Sequence, residues 1–137
     1  PKVTVKYKNI TLREGIDYKV VYKNNKKIGT AKIYVIGLNN FKDSNTYKMK
    51  IIPAKTKITK KKATKKKITL KVKGATGYQV MYSLKKNFKG KKKINTKKRT
   101  VVIKRKKSGK YYVKVRAYKK IGKKYVYGNY TKRITIK

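Results

Sequence analysis

Glu14, Asp17 and Asp43 are the only carboxylate side chains in 137 residues, and the chain has no His and no Cys. General acid–base and nucleophilic catalysis need titratable groups held in working proximity. Ser-His-Asp and Cys-His arrangements are ruled out by composition. Glu14 and Asp17 flank the turn in "REGIDY", where Asp and Gly are also what a turn requires. Zinc would lack its usual nitrogen and sulfur ligands, and a calcium site would have to gather oxygens among repelling lysines. No catalytic residue, metal site or cofactor is expected, and the chain reads as a non-enzyme.

The chemistry that abounds is cationic. Lys and Arg number 45 against 3 acids, a net charge of +42. Such a charge repels itself in the compact state and attracts phosphates, sulfates and anionic surfaces. A surface that only has to stay dissolved mixes both signs, so the near absence of acids points to an anionic partner. The densest clusters are Lys60, Lys61 and Lys62, then Lys65, Lys66 and Lys67. Further along come Lys91, Lys92 and Lys93, then Lys97, Lys98 and Arg99, then Lys104, Arg105, Lys106 and Lys107. Lys outnumbers Arg, which favours point-charge attraction to many anions over bidentate reading of one group.

These cations have to be positioned by strands, because convincing helical periodicity appears nowhere. "VTVKY" and "DYKVVY" alternate apolar and polar residues, "KNNKKIG" is turn chemistry, and "TAKIYVIG" and "TYKMKIIP" complete a small β unit ending at Pro53. Residues 54–66, "AKTKITKKKATKK", read as a lysine-rich linker with a short entering strand. Strand signals then recur about every ten residues to the end of the chain, the spacing of a β-sandwich. In "GKYYVKVRAYKK", Tyr111, Val113, Val115 and Ala117 share one face. Tyr112, Lys114, Arg116 and Tyr118 share the other, which puts Lys114 and Arg116 among the candidate anion-binding cations. Tyr112 and Tyr118 would be exposed rings able to pack on sugars. Tyr78, Val80 and Tyr82 alternate in the same way and complete the expected core. No apolar run reaches the roughly 18 residues of a membrane helix, and the absence of Cys leaves redox compartment open.

Two family resemblances follow. Residues 54–137 resemble the fibronectin type III modules of bacterial surface proteins, matching "GATGYQVMYSLKKNFKG", "GKYYVKVRAYK" and "GKKYVYGNYTKRITIK", with the domain proper over 67–137. In that family the Y-x-V-x-V-x-A strand is the sixth of seven and faces the core. Leu70 stands where the family often has Trp. Residues 1–53 are similar to a bacterial surface-protein immunoglobulin-like repeat. They supply Leu12, Gly15, Asp17, Tyr18, Val20, Tyr22, Asn24 and Asn25, then Gly29, Thr30, Ala31, Ile33, Val35, Gly37, Asn40 and Phe41. That family carries a further strand upstream of Pro1, so the resemblance implies a domain lacking its initial strand, with an edge open to strand addition from another chain.

The fold class expected is therefore all-β, two small sandwich domains in tandem. The expected function is extracellular attachment at the wall or surface of a Gram-positive-type bacterium, holding teichoic acid or a sulfated or acidic glycan. A spacer or stalk without a ligand and a nonspecific nucleic-acid binder are the alternatives. The latter lacks any zinc-finger, helix-turn-helix or RNA-recognition signature.

Overall fold

A computed structural model describes residues 2–137 and is all-β. The chain divides into two compact units, 1–51 and 52–137. The boundary lies just before the expected Pro53: Pro53 is buried, and its backbone lies so close to Gly128 that a side chain there would collide with it. Among the described residues no helix is long and apolar enough to cross a membrane.

In the first unit a two-residue turn joins β1 (Lys6–Tyr7) to β2 (Ile10–Thr11). Lys8 and Asn9 both take positive φ, 44° and 68°, as the tightest hairpin turns demand. The ribbon is shorter than the alternation of "VTVKY" suggests, although Val3 and Val5 still pack inward. A three-stranded antiparallel sheet follows: β3 (Tyr18–Lys23), β4 (Gly29–Gly37) and β5 (Ser44–Ile51), in the order β3-β4-β5. Tyr18, Ile33 and Val35 form its small core under Val3, Val5, Leu12 and Val20. Coverage thins along the sheet, and Tyr47 on the same face is 56% exposed.

The second unit packs two antiparallel sheets face to face, sandwich-like. One contains β6 (Lys57–Ala63), β7 (Lys67–Lys73) and β10 (Thr100–Lys104) in the order β10-β7-β6. The other contains β8 (Tyr78–Ser83), β9 (Lys92–Thr96), β11 (Tyr111–Ile121) and β12 (Lys124–Tyr127) in the order β12-β11-β8-β9. A final strand, β13 (Ile134–Ile136), pairs with the first residues of β11. Ile68, Leu70, Val72, Val101 and Ile103 from the first sheet meet Tyr78, Val80, Tyr111, Val113, Val115 and Ile136 from the second. Ala117 is fully buried, whereas Tyr82 is only partly buried and packs on the cluster's margin. Tyr78 closes its own turn, donating from Oη to the Ala75 carbonyl (2.7 Å).

The lysine-rich stretch 54–66 is not a linker. Its centre is β6, an edge strand hydrogen-bonded along β7, and Thr56 anchors its approach by donating to the Lys73 carbonyl at 2.6 Å. Only Ile58 and Ala63 mark it as half-buried. Their parities disagree because the register slips by one residue between Ile58 and Lys60, a β-bulge. After it Lys60 and Lys62 lie opposite the outward-facing Lys71 and Thr69, while Lys61 lies opposite the buried Leu70. A charge in the core-facing register of an edge strand discourages sheet-to-sheet pairing between molecules.

Candidate functional site

One carboxylate, that of Asp17, braces a turn. The Asp17 carboxylate accepts a hydrogen bond from the Arg13 backbone N–H (2.8 Å) and pairs with the Arg13 side chain. Gly15, at φ 88°, completes this turn. Among the described residues no three His, Cys, Asp or Glu side chains gather as a metal site would need.

Cross-strand register sorts the cations. In the first unit Lys23 is opposite Lys32, which is opposite Lys48, all on the exposed face of the sheet. In the second, Lys57 pairs with Lys73, Lys60 with Lys71, and Lys67 with Lys104, again on the solvent face of one sheet. Lys62 shares that face. Like charges directly opposite one another destabilise a sheet, and no acid side chain faces them in the registers. A ligand that runs across the strands with repeated negative charges would relieve each row at once.

Of the sequence candidates, the structure therefore brings Lys60, Lys62, Lys67 and Lys104 together on one face. Lys61, between Lys60 and Lys62, falls in the opposite, core-facing register by strand alternation. Lys65 and Lys66 form the adjoining hairpin turn, held by Arg105, whose backbone N–H donates to the Lys66 carbonyl (2.9 Å). Arg105 is a brace: its guanidinium donates to the carbonyls of Thr64 and Gly109 and lies 5.3 Å from the Tyr111 ring. Lys97, Lys98 and Arg99 make the exposed turn between β9 and β10. Lys91 precedes β9, Lys92 starts it in the inward register opposite Tyr82, and Lys93 faces outward opposite Met81. Lys106 and Lys107 lie in the exposed loop before β11.

Lys114 and Arg116 are not open cations. The Lys114 ammonium sits between Phe88 (4.5 Å) and Tyr130 (4.6 Å), and the Arg116 guanidinium between Tyr127 (3.8 Å) and Tyr130 (4.5 Å). Arg116 Nε also donates to Gln79 Oε1, which accepts from the Tyr130 hydroxyl too, each at 2.9 Å. These alternating rings and cations form a ladder on the outside of the larger sheet, stabilised by attraction between cation and ring face. Arg133 extends it over Tyr112 at 5.5 Å.

Tyr118 corrects a second expectation. It is buried rather than exposed, with Tyr125 and Tyr127 edge-on to it at 5.2 and 6.2 Å. β11 exchanges β13 for β12 along its length, and the β12 hairpin carries those rings onto Tyr118. Burial first, then Tyr125 and Tyr127, hold its hydroxyl above the ordinary phenol value. Tyr130 is raised as well, chiefly by burial, with Arg116 acting against the shift.

Sequence density missed Lys23, Lys32 and Lys48, and also Lys57, Lys71 and Lys73. The available signal was spacing by two, as in "KITLKVK", where Lys67, Lys71 and Lys73 all fall on one face. A consecutive run divides between two faces.

No family model and no curated protein matches the chain.

Proposed function

We propose that the chain is a non-enzymatic extracellular binding module of a bacterial surface or secreted protein, holding a polyanion such as teichoic acid or a sulfated or acidic glycan. The reading rests on the opposed lysine rows, which place repulsive charge on sheet faces where neutral residues would serve folding better. The order β10-β7-β6 over β12-β11-β8-β9, with β11 sixth among the unit's strands, supports a fibronectin type III identity for the second unit. The ribbon-and-sheet arrangement of the first is compatible with an immunoglobulin-like repeat.

Binding of this kind is electrostatic and labile to salt. On a phosphate polymer, log K falls against log salt by about 0.7–0.9 per phosphate neutralised. The test is retention on immobilised teichoic acid and on heparin across a salt gradient. Lys57→Gln, Lys60→Gln, Lys71→Gln and Lys73→Gln together should elute earlier than four Lys→Gln changes in the 97–107 loops. Retention that survives about 1 M salt, where the screening length is about 3 Å, contradicts the reading. The spacer alternative draws on the ladder, where cations serve packing alone. It predicts retention no greater than that of a scrambled peptide of equal charge.

A further inference from the structure

The sandwich of the second unit is open on one side. β9 and β10 are consecutive strands in different sheets, each at the end of its sheet. A cleft of about 600 Å³ lies there, within the size range of small-molecule sites. Its floor is apolar: Tyr82, Leu84, Ile94, Val102 and Tyr111. Leu84 and Val102 are 43% and 49% exposed, unlike most large aliphatic side chains of this unit. Its charged lining is entirely cationic, with Lys85, Lys89 and Lys92 from one segment and Lys104, Lys106 and Lys107 from the other. No acid lines it.

The loops that form the rim are held in place. Ser83 donates from Oγ to the Lys89 carbonyl (2.8 Å) and accepts from the Lys85 N–H (3.1 Å), and Tyr111 donates from its hydroxyl to the Lys107 carbonyl (3.2 Å). An apolar trough inside a ring of ammonium groups matches a ligand with the same two parts. We infer that this cleft binds a single-chain anionic amphiphile, its hydrocarbon body lying on Leu84, Ile94 and Val102 and its phosphate, sulfate or carboxylate head among the lysines. The flanking strand edges do not favour an added peptide strand, because Lys92 and Lys104 stand on them and edge lysines discourage pairing. Lys104 belongs both to the outer-face rows and to this rim, whereas Lys57, Lys60, Lys67, Lys71 and Lys73 do not line the cleft, so the inference can be tested apart from the polyanion reading.

The probe is dodecyl phosphate below its micelle-forming concentration, titrated calorimetrically into the full chain in about 0.15 M salt. Saturable binding at one site is expected, with inorganic phosphate and dodecanol each weaker by about tenfold or more. Leu84→Ser with Val102→Ser, both exposed positions that leave the buried core intact, should weaken dodecyl phosphate by about tenfold or more. The same double variant should be retained on teichoic acid and heparin as the parent is, which separates failure here from failure of the polyanion reading. Lys92→Gln with Lys106→Gln and Lys107→Gln should also weaken the amphiphile and leave dodecanol unchanged. Equal binding by the Leu84/Val102 variant, or several equivalent sites per chain, overturns the inference. So does saturable binding of an alternating Val-Glu peptide in the absence of dodecyl phosphate binding.

Discussion

Lys32 occupies the middle of the Lys23–Lys32–Lys48 row on the first unit, so Lys32→Glu reverses two neighbouring interactions at once. Directly opposed residues have Cβ atoms about 5 Å apart, and side-chain splay puts the charged ends about 6 Å apart. In water two unit charges at that distance interact by about 0.7 kcal/mol. With a screening length of about 30 Å at 0.01 M salt, about 0.5 kcal/mol of this remains. Two repulsions become two attractions, a change of about 2 kcal/mol in favour of the variant. At 1 M salt the screening length is about 3 Å, and the gain falls below about 0.5 kcal/mol. Urea is the denaturant of choice because it is uncharged and leaves salt as a free variable. With a slope of about 1 kcal/mol per M for so small a unit, the midpoint of the first unit should rise by about 2 M at low salt. Lys32→Gln should gain about half as much. A Lys32→Glu variant no more stable than the parent at 0.01 M salt, or one whose gain persists undiminished at 1 M, would refute the claim that these lysines repel one another across the sheet.

Removing the guanidinium between Tyr127 and Tyr130 with Arg116→Ala should destabilise the second unit by about 2–3 kcal/mol, the sum of two ring contacts and a charge-assisted hydrogen bond. Arg116→Lys should recover only part of this, since the planar stack is lost; urea midpoints measure both. Gly77→Ala places a Cβ 2.8 Å from the Tyr118 ring, and the forced shift should lower stability by about 1–3 kcal/mol, with a change in the near-ultraviolet tyrosine circular dichroism. Tyr118 should titrate above the ordinary 10.0 in an absorbance titration at alkaline pH. The folded state holds its proton more tightly than the unfolded, so the contribution is whole below pH about 10 and is lost as pH rises through the folded value. The parent should therefore lose stability relative to Tyr118→Phe above pH about 10, while lysine deprotonation affects both alike.

Strand content was legible because alternation survives in any single strand. Tyr111, Val113, Val115 and Ala117 announce a buried face without knowledge of their neighbours. β6 was obscure because its apolar residues, Ile58 and Ala63, are small in number and out of phase until the bulge is known. Tyr118 was misjudged because strict alternation assumes the same neighbours along a whole strand, and on one side β11 exchanges β13 for β12. The lysine rows were least legible, since Lys23, Lys32 and Lys48 become adjacent only through pairing between three strands. Sequence clusters such as 97–99 proved to be turns, and Lys114, Arg105 and Arg116 carry their charge as packing elements, a use that composition alone does not distinguish from display.

The extra residue near Thr59 sets which lysines look outward. If the strand kept this residue but paired in unbroken register, Lys60 and Lys62 would fall opposite Leu70 and Ile68, Lys61 would turn to the solvent side, and Ala63 would leave the interior. Deleting Thr59 would straighten the strand and leave Lys60, Lys61, Lys62 and Ala63 on their present partners, whereas a one-residue slip in pairing with Thr59 retained would preserve the whole charge of the molecule and yet turn Lys60 and Lys62 away from the positive patch on that sheet. The electrostatic character of this surface is thus written in phase as well as in abundance, and two chains of identical lysine content could differ in which charges they display.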